Sequence, residues 1–191
     1  MTRRTLVPIW ILALLFVSAG AHAATISMVP AATTVGLTGS VDVDLNISGL
    51  GNLAPDSLGV FDIDLGYDAG IVSLDSVSFG SSLSVAFPSV QILTPSAGSV
   101  NIFELSLDSA ADLHANQAGS FTIATLTFSR VAAGTTTLVA SVNALGDALG
   151  APLAFNVAPG TRITAAIPEP SAALLWVTGL VVLRNRLRAR R

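Results

Sequence analysis

Val41-Asp42-Val43-Asp44-Leu45-Asn46-Ile47-Ser48 alternates apolar and polar residues without a break, and Phe61-Asp62-Ile63-Asp64-Leu65-Gly66-Tyr67-Asp68 repeats the pattern. A period of two puts the apolar side chains on one face and the polar ones on the other, the mark of a strand buried on one side. Working outward, further strands are expected at 25–29, 71–79, 85–93, 100–107, 121–130, 136–143 and near 162–166. Gly49-Leu50-Gly51-Asn52, Asp68-Ala69-Gly70, Pro95-Ser96-Ala97-Gly98 and Ala133-Gly134 supply turns between them. Many short strands at this spacing predict an all-β, two-sheet sandwich. Within 100–107, Phe103, Leu105 and Leu107 share one face and Glu104, Ser106 and Asp108 the other, so the apolar set is expected to point inward. A short helix is expected between Asp108 and Gln117, in a connection.

Both ends of the chain differ from this middle. Arg3 and Arg4 precede an apolar stretch, and Ala21-His22-Ala23 gives a small-x-small cleavage pattern, so 1–23 reads as a secretory signal peptide with Ala24 opening the mature chain. At the other end, Pro168-Glu169-Pro170 is followed by the apolar run 172–183, with Leu174, Leu175, Trp176 and Leu180, and then by Arg184, Arg186, Arg188, Arg190 and Arg191. Twelve residues of helix rise about 18 Å against a hydrocarbon core of roughly 30 Å, short for a permanent span. The arginines resist translocation and should stay cytoplasmic while the domain lies outside. The prolines keep the segment before the run extended and open to a processing enzyme. Taken as physics, the tail fits an ordinary anchor as well as a processed one.

Between these ends lies one ordinary domain, 24–166. Its eleven acidic residues against Arg130 and Arg162 give a formal charge of −9, and the chain has no lysine. Such a surface repels phosphate backbones, which excludes nucleic acid as a partner. With no cysteine in the chain, neither a disulfide nor thiol chemistry is available.

The tail resembles the PEP-CTERM sorting signal of Gram-negative bacteria over 167–191: the motif, the apolar run and the basic cluster occur in order. Ile167 stands where valine is commoner. The resemblance implies recognition of Pro168, Glu169 and Pro170 by exosortase, a membrane-embedded transpeptidase-like enzyme. It also implies an inner-membrane-anchored precursor, delivery to the cell surface or extracellular matrix, and association with exopolysaccharide and biofilm. The middle domain resembles the cohesin-like domains of such proteins, carried by residues 58–68, 101–108 and 119–128. That implies a jelly-roll sandwich of about nine strands, related to carbohydrate-binding modules, with 41–48 and 58–67 in different sheets. Unfavourable pairing of like charges across strands points the same way. A separate dockerin-like protein partner, or weak glycan binding, follows from the same likeness.

Chemistry-bearing residues are few. Asp42, Asp44 and Asn46 begin with calcium-loop spacing, but Ile47 replaces the required glycine and Leu53 the glutamate, so a solvated strand face is the better reading. Asp62 and Asp64 read the same way. A calcium ion could use only Asp68 with loop carbonyls at a strand end. After signal removal His114 is the only histidine, read as a solvated loop residue near Ser109 and Asp112 without triad geometry. No enzyme is expected. Phe61, Phe79, Phe87, Phe103, Phe121, Phe128 and Phe155 are assigned to the core. With no tryptophan in 24–166, a planar sugar platform is not expected.

Overall fold

The computed structural model describes residues 23–36, 38–51, 56–166 and Trp176. Ala21, Pro168, Glu169, Pro170, Leu174, Leu175, Leu180, Arg184, Arg186 and Arg188 lie outside the described residues. Trp176 is helical and exposed. Among the described residues no helix is long and apolar enough to cross a membrane.

Two sheets face each other. The five-stranded sheet runs β10-β1-β3-β8-β5, with β1 (Ala24–Pro30), β3 (Ser40–Ser48), β5 (Val72–Phe79), β8 (Ser120–Arg130) and β10 (Phe155–Val157). The six-stranded sheet runs β2-β11-β9-β4-β7-β6, with β2 (Thr34–Val35), β4 (Leu58–Gly66), β6 (Val90–Ser96), β7 (Ser99–Leu105), β9 (Gly134–Asp147) and β11 (Thr161–Ala165). A short helix, α1 (Ala110–Asn116), lies between β7 and β8. The two alternating stretches are β3 and β4, and they stand in different sheets as expected. Val41, Val43, Leu45 and Ile47 from one, and Phe61, Ile63 and Leu65 from the other, all enter the core. Tyr67 packs edge-on against Phe128 at 5.3 Å between ring centres.

β11 pairs with β9 on one side and β2 on the other, and the Ala166 N–H reaches the Val35 carbonyl (2.9 Å) directly after it. Ala24, the expected start of the mature chain, is the buried first residue of β1.

Five expectations are corrected. The strand placed at 85–93 starts at Val90 and runs to Ser96, because Asp108 captures the backbone ahead of it: its carboxylate accepts from the N–H groups of Val85 (2.6 Å), Ala86 (3.0 Å) and Phe87 (2.7 Å). Pro95 and Ser96 belong to this strand, and the turn is Ala97-Gly98 alone, with Gly98 at φ 79, a conformation natural to glycine. On β7 the inward set is Val100, Ile102 and Glu104; Leu105 is 38 % exposed and Phe103 half-buried on the outer side. Phe61 and Phe128 are core residues, but Phe87 (58 %) and Phe155 are exposed. His114 sits on α1 rather than in a loop, and its Nε2 is buried with no partner among the described residues.

Candidate functional site

The two outer faces of the sandwich differ. On the five-stranded sheet Asp42, Asp44 and Asn46 of β3 are each tied to a threonine of β8: Thr127 donates to Asp42 (2.8 Å), Thr125 to Asp44 (2.7 Å) and Thr122 to Asn46 (2.7 Å). These three side chains form a hydrogen-bonded polar ladder with their threonines.

The outer face of the six-stranded sheet is mixed. Register across β6, β7, β4 and β9 builds three rows. Thr94, Asn101, Asp64 and Ser141 form a polar row. Ile92, Phe103, Asp62 and Ala144 form a mixed one, and Val90, Leu105, Val60 and Gly146 an apolar one.

At the centre, two asparagines clamp two aspartates. Asn101 Nδ2 donates to Asp62 Oδ1 (2.6 Å) and Asp64 Oδ1 (2.8 Å). Asn143 Nδ2, at a register shift of β9 against β4, donates to Asp62 Oδ1 (3.2 Å) and Asp64 Oδ2 (2.9 Å). The bonds from Asn143 and Asn101 hold the Asp64 carboxyl below the usual carboxylate range, against a smaller upward push from burial. Two negative charges are thus fixed side by side on a flat face, and the ring's remaining oxygens are acceptors. Beside the ring opens a cavity of about 380 Å³, lined by Val60, Asn143, Gly146, Pro152, Leu153 and Phe155. A chemical reading follows: the face offers acceptors for a cationic or hydroxyl group, flanked by apolar surface.

Sequence reading marked Asp62 and Asp64 as a solvated face and missed Asn101 and Asn143, which lie 37 or more residues away and reach the aspartates only through strand pairing. Asp68, the calcium candidate, uses Oδ1 to accept from the Gly70 N–H (2.8 Å), while its carbonyl accepts from Ile71 and Val72. Among the described residues no three His, Asp or Glu side chains group as metal ligands. Ser109 and Asp112 are not arranged around His114: Ser109 Oγ caps α1 through the Asp112 N–H (3.2 Å) and donates to its carboxylate (2.6 Å).

Asp108 is pushed up by burial but held lower overall by the bonds from Val85, Phe87, Ala86 and Ser106. Glu104 behaves oppositely. It is fully buried; Oε1 accepts from Ser89 Oγ (2.6 Å) and Gln91 Nε2 (2.9 Å), and Oε2 has no partner among the described residues. Burial raises its carboxyl above the ordinary 4.5, outweighing the two bonds. A raised carboxyl contributes stability that is complete below the unfolded value and is lost as pH climbs through the folded one. Glu104→Gln is therefore expected to melt higher than wild type at neutral pH, with the gap closing toward pH 4.5. Circular-dichroism melts across that window check this; a gap independent of pH would show that burial does not raise the carboxyl.

No family model matches the sequence, and no curated protein matches it. Solved structures do match in fold. A type II cohesin domain from the cellulosome of Acetivibrio cellulolyticus superposes with a TM-score of 0.61 at 15 % identity, covering 74 % of this chain and 95 % of its own. The sixth cohesin of scaffoldin B from the same organism, solved in complex with a dockerin, gives 0.58 at 18 % identity, covering 75 % and 99 %. A non-cellulosomal cohesin from the hyperthermophilic archaeon Archaeoglobus fulgidus gives 0.56 at 14 % identity, covering 79 % and 96 %. The domain has a cohesin-like β-sandwich fold.

Proposed function

We propose that the sandwich is a non-enzymatic protein-binding module, and that the outer face of its six-stranded sheet receives a dockerin-like partner. The observation that carries this reading is the Asp62–Asn101–Asp64–Asn143 ring set between an apolar row and a cavity. A partner with a cationic or hydroxyl side chain between apolar ones is complementary to it. Cohesins of the same fold solved with dockerins support the class of partner. The test is a pull-down from the producing cells' secreted fraction. Asp62→Arg with Asp64→Arg is expected to lose a partner that wild type retains. Asp42→Arg with Asp44→Arg, on the opposite sheet, is expected to keep it. Equal retention by both variants overturns the assignment of the face.

The site of action follows from the ends. The N-terminal segment exports the chain, exosortase recognises Pro168, Glu169 and Pro170, and the module serves at the cell surface or in an exopolysaccharide-containing matrix. Its support is the order of motif, apolar run and arginines in the sequence. Replacing the three motif residues with alanine is expected to abolish C-terminal processing while the sandwich stays folded. Mass spectrometry of the mature C-terminus reads the outcome; an unchanged mature mass removes the sorting reading without touching the docking face.

A further inference from the structure

Among the described residues, β6 closes one side of the six-stranded sheet and pairs with β7 alone. All seven of its residues are exposed. Ile92 (51 %) lies opposite Phe103 on the outer side of the sheet; Leu93 (40 %) lies opposite buried Ile102 on the other. The strand therefore shows apolar surface on both faces. Exposed Leu105, Leu107, Val85 and Phe87 continue that surface, the last two brought to the end of β7 by Asp108.

Edge strands carry a free row of N–H and C=O groups, and natural sheets guard them with charges, bulges or covering segments. Here charges and bulges are missing and, among the described residues, no strand pairs the free side; Pro95 is the guard that β6 carries. No charged residue occurs between Asp75 and Glu104, and Glu104 is buried. The register with β7 runs from Val90↔Leu105 to Ser96↔Ser99 with no shift. Pro95 sits next to the turn, away from the strand's centre.

We propose that β6 pairs antiparallel with β6 of a second copy of this chain, joining two six-stranded sheets across a two-fold axis. A strand run antiparallel to itself is self-complementary, the condition for a closed dimer. Charge selects the same surface. A domain of formal charge −9 repels its copy over most approaches, but β6 contributes nothing to that repulsion. With strands about 4.8 Å apart, Asp62 and Asp64 on β4 would lie about 24 Å from their mates across the joined sheets. That is about three Debye lengths at physiological salt, so their repulsion is screened. The new neighbour covers Ile92 on one face and Leu93 on the other.

The chain contains no cysteine, so a single introduced one reports cleanly. Full-length Leu93→Cys, held in detergent and treated with a bis-maleimide spanning direct and diagonal cross-strand positions of about 5–8 Å, is expected to give a covalent dimer. Leu149→Cys, 74 % exposed after the end of β9, is expected to stay monomeric. Adding Thr94→Lys to Leu93→Cys sets like charges on the paired edges and should cut the dimer yield about ten-fold, a 1.4 kcal/mol effect. Absence of dimer at position 93, equal yields at 93 and 149, or a yield indifferent to Thr94→Lys overturns the proposal. Cross-linking only to other proteins does so too. The pull-down on Asp62 and Asp64 is independent of all four results.

Discussion

Phe61→Asp is expected to leave no folded sandwich. Phe61 is fully buried on β4, with Glu104 beside it on β7 and Leu145 beside it on β9. Losing the ring costs about 3–5 kcal/mol by itself. The incoming carboxyl lands in the core next to a glutamate whose Oε2 already has no partner, so it adds several kcal/mol more or must take up a proton. Domains of this size are stable by about 5–15 kcal/mol, so the total approaches or exceeds what the fold has. Far-ultraviolet circular dichroism and limited proteolysis read the loss. The informative companion is Leu105→Asp, one position along from Glu104. An outward side chain on β7 is expected to cost no more than about 1 kcal/mol. A native-like Phe61→Asp, or an unfolded Leu105→Asp, would mean that the faces of β4 and β7 are assigned wrongly.

The second large effect is expected at Gln117→Leu. Gln117 is buried at the end of α1, and its amide fastens the start of β4. Oε1 accepts from the Leu58 N–H (2.5 Å), and Nε2 donates to the carbonyls of Leu58 (2.9 Å) and Ser82 (3.1 Å). Leucine fills the same space with no polar atom. Three backbone groups then lose their side-chain partner in or near the interior, at about 1–3 kcal/mol for each that stays unsatisfied. A melting temperature lower by about 10 °C or more is expected. Asn116→Ala, which removes an exposed bond to the Asp112 carbonyl, should shift it by a few degrees at most. If the two variants melt together, Gln117 does not fasten β4.

Some of this was legible in the sequence and some was not, for a physical reason in each case. β3 and β4 are readable because their alternation has a single phase. β7 is not: Val100 and Ile102 lie on one face, Phe103 and Leu105 on the other, so periodicity alone cannot choose the core side. The choice falls to Asn101, which joins Asp62 and Asp64 outside and thereby turns Glu104 in. Side-chain apolarity favoured the wrong face because it ignored what lies across the strand pair. β2 and β10, of two and three residues, are too short for any pattern to register. The aspartates of the candidate site were visible as residues, but the clamp that organises them comes from long-range pairing and a register shift.

If the tail is processed as proposed, the close of β11 bears on when that happens. Ala166 is still bonded to Val35, and Pro168 follows two residues later, at most about 7 Å of chain. Only Ile167 separates the last described residue of the sandwich from the motif that the proposed sorting role gives to exosortase. Whatever works on Pro168-Glu169-Pro170 has to do so at the rim of the sandwich, or before its final strand has docked. On the proposed sorting role, folding and trimming compete for the same few residues, and a mutation that slows the last strand would quicken the cut.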